Sequence, residues 1–178
     1  MSSPTGFTWV FPAQAHEDGS VSIFACASGL TVEICVWRDH SFGFKPVKSS
    51  EGLSRDIFNR VAAWLGERNA IRYRLLDWSV RKVGLKVPVA RVLDLRLAKA
   101  GLEFRVQIEQ AEVEVLVRGD LSPVWPGEVN LATNEAVAWN AYNTCLGHML
   151  EHQNELEEMG FDASTLDMDD EGLLATCR

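Results

Sequence analysis

The stretch Leu102-Glu103-Phe104-Arg105-Val106-Gln107-Ile108-Glu109-Gln110-Ala111-Glu112-Val113-Glu114-Val115-Leu116-Val117 decides the fold class. Up to Ile108 its apolar residues occupy even positions, and from Val113 they occupy odd ones. Side chains along a strand alternate between faces with period two, so one strand changes phase only by gaining an extra residue. A strand running the whole way would also be unusually long. The stretch is predicted as two strands meeting near Gln110-Ala111, each with one apolar and one charged face. Such strands build an antiparallel sheet that is wet on one side.

The pattern extends outward. Leu93, Leu95 and Leu97 alternate with Val92, Asp94 and Arg96, and Lys99-Ala100-Gly101 turns the chain back. Upstream, Ile71, Tyr73 and Leu75 alternate with Arg72 and Arg74, which predicts a strand running on through Trp78 and Val80 to a turn at Gly84–Pro88. Near the N-terminus, Phe7 to Phe11 is a short apolar stretch ended by Pro12, and Glu17-Asp18-Gly19 marks a turn. Ser20–Cys26 and Thr31–Trp37 read as a hairpin across Ser28-Gly29. In its second strand Val32, Ile34 and Val36 share one face, and Glu33, Cys35 and Trp37 the other. Residues 38–50 read as a loop.

Two segments carry helical spacing. Leu53, Ile57, Phe58, Val61, Trp64 and Leu65 fall on one face, with Ser49 or Ser50 as cap and Gly66 and Asn69 at the stop. After a loop at Pro123–Gly127 that holds Trp125, a long helix is predicted from about Thr133 to Met159. Its stripe is Ala138, Tyr142, Cys145, Met149, His152, Leu156 and Met159. The expected fold is therefore α+β: an antiparallel sheet of six to seven strands in the order βββ–α–ββββ–α, with helices packed on one face. Residues 1–159 are expected to form a single domain, and 160–178 an acidic C-terminal tail.

The chain has 178 residues, 47% of them apolar and 24% charged, which fits a globular domain with a real core. Its net charge of −8 is concentrated at the end: residues 151–178 hold nine acids against Arg178 alone, and the remainder is formally neutral. No general positive field exists to draw in phosphate backbones or anionic membrane surfaces, so nucleic acid and membrane are not expected partners. No apolar run approaches the roughly 20 residues that span a bilayer, and Met-Ser-Ser-Pro-Thr-Gly lacks the features of a secretory leader. A hairpin turn at Ser28-Gly29 sets Cys26 opposite Thr31 and Cys35 opposite Ser22. Neither faces the other, and for the four cysteines (Cys26, Cys35, Cys145, Cys177) reduced thiols in a cytoplasm are the simplest reading.

Several segments resemble a known family. Glu17-Asp18-Gly19-Ser20-Val21-Ser22-Ile23-Phe24 is similar to the acidic turn and second strand of the PsbP-like fold, which includes the DcrB lipoproteins and the Eag-type chaperones of type VI secretion effectors. Leu30-Thr31-Val32-Glu33-Ile34-Cys35-Val36-Trp37-Arg38-Asp39 resembles its third strand. Arg74-Leu75-Leu76-Asp77, the turn at Gly84 and the strands from Arg91 to Glu109 follow the pattern of its middle. The likeness covers residues 7–120, and the long acidic helix and tail depart from it. It implies a chaperone whose apolar sheet face, often in a homodimer, shields hydrophobic segments of a secreted effector.

Few motifs carry chemistry. His148-Met149-Leu150-Glu151-His152 matches H-x-x-E-H, which sets two imidazoles one helical turn apart beside a carboxylate base. The pattern needs a third protein ligand, for which only Glu155 offers itself. The plainer reading is an amphipathic helix with His152 on the packed stripe and His148 at its border. His16 beside Glu17, and His40 beside Asp39, lie in predicted loops and read as solvated pairs. Arg72, Arg74, Arg91, Arg96 and Arg105 read as cross-strand partners on a wet face. No catalytic residues and no cofactor are assigned.

Binding is left to aromatic and acidic groups. Trp37, Trp78 and Trp125 are candidate contact residues, as aromatic side chains dominate binding energy; Trp9 belongs to the same set, while Trp64 and Tyr142 are expected in the core. Asp167, Asp169, Asp170 and Glu171 are candidate contacts in a tail that either docks on a partner or frays as a solubilising terminus. The leading expectation is a non-enzymatic protein-binding module, a bacterial effector chaperone or adaptor. The alternatives are an immunity protein that neutralises a toxin through its acidic end, and a metal-dependent hydrolase using His148 and His152.

Overall fold

The computed structural model describes residues 5–46, 51–125, 131–167 and 169–178. The chain clusters into two compact units, Met1–Leu85 with Asp169–Arg178, and Lys86–Met168. The first is therefore discontinuous in sequence, and the second is an insertion within it.

The first unit holds β1 (Thr8–Trp9), β2 (Gln14–Ala15), β3 (Val21–Ala27), β4 (Leu30–Val36) and β5 (Phe42–Pro46). They form one antiparallel sheet in the order β1-β3-β4-β5, with β2 also pairing β3. The hairpin turns at Ser28-Gly29, whose φ angles of 52° and 77° suit the primed turns that match strand twist. Cys26 pairs with Thr31 and Ser22 with Cys35, as the turn dictates. Val32, Ile34 and Val36 are buried with Val21, Ile23 and Ala25. Each of the valines and isoleucines contributes about 1.5–3 kcal/mol on leaving water.

Over that face lies α1 (Glu51–Gly66), which buries Ile57, Val61, Trp64 and Leu65. Phe58 stacks on Phe44 with centroids 4.5 Å apart. Phe7, Trp9 and Trp64 form an edge-to-face and tilted trio at 5.1–6.2 Å. The candidate caps Ser49 and Ser50 lie outside the described residues.

Two expectations for this unit are corrected. Residues 38–50, read as a loop, contain β5, whose Phe42 and Phe44 sit opposite Val36 and Ile34 on the apolar face. Residues 71–80, read as a strand, belong to the helix α2 (Asn69–Val83). Its buried positions include Ile71, Leu75, Leu76 and Ser79, a helical spacing that the adjacent Leu75-Leu76 pair already disclosed. Arg72 and Arg74 are therefore helical, and Arg72 is buried with its guanidinium on Leu65 O and Asn69 Oδ1. Gly84 ends α2 at φ 69°, its N–H on Arg81 O and that of Leu85 on Val80 O.

The second unit holds β6 (Ala90–Ala98), β7 (Gly101–Ile108), β8 (Ala111–Arg118) and β9 (Pro123–Val124), an antiparallel sheet in that order. The phase change of residues 102–117 is a two-residue turn, Glu109-Gln110, with Ile108 facing Ala111. The even set of β7 and the odd set of β8 share a buried face, with Phe104 opposite Val115 and Val106 opposite Val113. Across the charged face, Arg96 bonds Glu103, Arg105 stands between Asp94 and Glu114, and Arg91 donates to Gln107 Oε1.

The dry face is covered by α3 (Leu131–Glu151), whose Ala138, Ala141, Tyr142, Cys145, Leu146 and Met149 are fully buried. The predicted continuous helix to Met159 breaks at His152 (φ −126°, ψ 36°), and α4 (Gln153–Met159) follows. In this way the stripe loses its regularity: Leu156 is buried, while Met159 is exposed. The fold is thus α+β with antiparallel sheets, but in two sheets of five and four strands rather than one of six to seven, and with paired helices where single ones were expected.

The acidic end folds back. Phe161, Ala163 and Leu166 are buried in the second unit. Leu173 is buried in the first, where Ala13 N–H donates to Thr176 O.

Candidate functional site

The face of the first sheet opposite α1 carries Ser22, Phe24 and Cys26 from β3 and Thr31, Glu33 and Cys35 from β4. The next residue of the same parity is Trp37, 41% exposed just past β4. Its indole lies over Gly43, where an added Cβ would stand 3.2 Å from the ring. Phe11, 62% exposed, meets Phe24 edge-to-face at 5.8 Å. Phe11 holds φ 60°, a conformation that bulky residues avoid and that costs about 1–3 kcal/mol. One sheet face thus presents two outward aromatic rings, one of them on a strained backbone.

Between them, His16 Nε2 and Ser22 Oγ meet at 2.7 Å. The turn that brings them together is held by Asp18 Oδ1, which accepts from both the amide and the hydroxyl of Ser20. Those bonds keep the Asp18 carboxyl below the usual carboxylate range. The arrangement has the look of a nucleophile and its base, but Ser22 is 1% exposed and no substrate reaches its oxygen. Burial also pushes the Cys35 thiol up, away from the reactive thiolate. The cluster ties turn to sheet.

The candidate metal pair sits in the second unit. His148 and His152 stack nearly parallel, centroids 4.1 Å apart and planes 20° apart. His152 Nδ1 engages His148 O at 2.9 Å, which takes one ring nitrogen into the helix break. His148 also lies edge-on to Phe104 at 6.0 Å. Burial, then the neighbouring His152, hold His148 below the ordinary histidine value. Among the described residues no group of three His, Cys, Asp or Glu side chains is placed to hold a metal ion.

The other candidate contacts are dispersed. Trp78 is half-buried on α2. Trp125 packs edge-to-face on Trp139 at 4.9 Å, and Trp139 on Tyr142 at 5.8 Å. Trp64 and Tyr142 are core residues. In the acidic end, Asp169 Oδ1 accepts Glu171 N–H, Asp170 accepts Gly172 and Leu174 N–H, and Glu171 Oε2 accepts the Thr5 hydroxyl at 3.1 Å. Asp169 and Asp170 close local turns, and Glu171 ties the end to Thr5 within the first unit. Asp167 ends a 3-10 turn, Ser164–Asp167.

The sequence reading named Trp37 but missed Phe11 and the His16–Ser22 bond. The Phe11-Pro12 dipeptide keeps Phe11 out of the right-handed helical region, but it favours extended backbone and gives no signal of the φ of 60° found here. Comparisons with known protein families, with curated proteins and with solved structures gave no match. No helix among the described residues is long and apolar enough to cross a membrane.

Proposed function

We propose that this chain is a non-enzymatic protein-binding module, an effector chaperone or adaptor of the kind its resemblance to the Eag-type chaperones implies, and that it holds its partner on the face of the first sheet opposite α1. The observation that carries this reading is the pair Phe11 and Trp37, two large rings exposed on one face. Aromatic side chains presented in this way supply most of the binding energy at protein contacts. A backbone held in a costly conformation to expose a ring is a further sign of use.

The reading of an immunity protein acting through its acidic end has less support, because Asp169, Asp170 and Glu171 each accept hydrogen bonds from backbone N–H groups nearby or from the Thr5 hydroxyl. The metal-hydrolase reading also has less support, because among the described residues no third ligand joins His148 and His152.

The test is co-expression with the protein encoded beside it. Wild type should co-purify with that protein, and Phe11→Ala with Trp37→Ala should weaken the complex by about 100-fold or more while the unfolding midpoint stays near wild type. A complex that survives the double variant, but is lost on neutralising the exposed Glu157 and Glu158, would transfer the contact to the acidic end. Truncation does not discriminate, since residues 169–178 belong to the first unit's fold.

A further inference from the structure

The free edge of the second unit's sheet is self-complementary. Among the described residues, β6 pairs with β7 on one side and with no strand on the other. Antiparallel pairs alternate between those that exchange backbone hydrogen bonds and those that do not. The two-residue loop Lys99-Ala100 makes Ala98 and Gly101 a bonded pair, and so Arg96 with Glu103 and Asp94 with Arg105. Leu95 and Leu97 then turn their N–H and C=O groups to the open edge. In agreement, the Leu95 amide bonds the Asp94 carboxylate at 2.9 Å rather than a β7 carbonyl.

Natural sheets protect such an edge with proline, lysine or bulges. Ala90–Ala98 contains neither proline nor lysine, and its register irregularity lies between Val92 and Asp94, leaving Asp94–Ala98 regular. Exposed apolar side chains lie within this segment and just before the strand: Leu97 is 43% exposed and Val89 82%.

We propose that β6 is an interface between two copies of this chain, paired antiparallel about Leu95. The charge pattern chooses both the occupant and the register. With Leu95 opposite Leu95 of the second copy, each Asp94 faces the other copy's Arg96, which gives two reciprocal ion pairs on the charged face. Sliding by two residues in either direction sets Asp94 against Asp94 or Arg96 against Arg96. Sliding by one turns the helix-covered face of one copy to the wet side of the other. Arg96 keeps its bond to Glu103 through Nε and has further N–H groups for the second copy. The Leu95 amide exchanges its Asp94 contact for a carbonyl across the seam, releasing that carboxylate to pair. The seam belongs to the second unit and the aromatic pair to the first, so different substitutions test the two readings.

Sedimentation velocity of the full chain from about 1 to 100 μM tests this, because a two-strand seam lies at the small end of interface sizes and gives a micromolar dimer. Asp94→Arg, which opposes two arginines, should weaken the dimer by about 100-fold. Adding Arg96→Asp reverses both pairs and should restore it. Leu95→Pro removes an edge-facing N–H together with a half-buried side chain opposite Phe104, and should leave a folded monomer by circular dichroism. A monomer at every concentration, an Asp94→Arg chain that dimerises like wild type, or a folded charge-reversed chain that stays monomeric would each overturn the proposal.

Discussion

The Tyr142 hydroxyl donates a buried 2.5 Å hydrogen bond to the carbonyl of Leu121, a residue held at φ 70°. The bond ties the middle of α3 to the turn between β8 and β9, and it gives a carbonyl beyond the reach of water its donor. Tyr142→Phe keeps the ring and removes that donor, so the cost is the desolvation of Leu121 O, about 1–3 kcal/mol. Urea unfolding should show a lower midpoint with an unchanged slope.

Gly101 opens β7 at φ 148°, and an added Cβ would lie 2.2 Å from Val117 O. Backbone cannot swing aside as a side chain can. Gly101→Ala should destabilise the second unit by about 3 kcal/mol or more, whereas Gly119→Ala, with nothing within 4 Å of its added carbon, should stay within about 0.5 kcal/mol of wild type. Equal thermal shifts for the two variants would refute the steric account.

Leu173 is fully buried although only five residues from the end of the chain. Leu173→Ala should cost about 2–5 kcal/mol, the range for a truncated core leucine. Amide hydrogen exchange should report the loss in β1 to β5, since the segment 169–178 clusters with that unit. Loss confined to the terminal segment itself would show that the end merely rests there.

Burial and His152 hold His148 below the ordinary value of 6.5, against the opposing pull of Glu151 and Glu155. As pH falls, the unfolded chain therefore takes up this proton first. The contribution to stability is full above about pH 6.5 and drains away from there toward the depressed folded-state value. His148→Gln should flatten the decline in melting temperature between about pH 7 and pH 5.5. An unchanged slope would place the titrating group elsewhere.

Legibility in the sequence followed how local the determinant was. The hairpin at Ser28-Gly29, the turn at Glu109-Gln110, the first helix and the burial of Val32, Ile34 and Val36 all follow from neighbours a few residues apart. Residues 71–80 misled because a short run of Ile, Tyr and Leu satisfies strand and helix periods alike until Leu75-Leu76 breaks the tie. Phe42 and Phe44 looked like loop residues because Gly43 and Pro46 surround them; they become a strand only when Val36 and Ile34 offer an edge.

What the sequence determined by itself is the set of faces: period two and period 3.6 state which side of each element is dry, and two-residue turns state the register of neighbouring strands. What only the tertiary structure decided is how those dry faces were shared out, into two sheets with the last ten residues returned to the first. Periodicity measures the need for burial but not the partner that meets it, and that choice depends on packing between residues far apart along the chain.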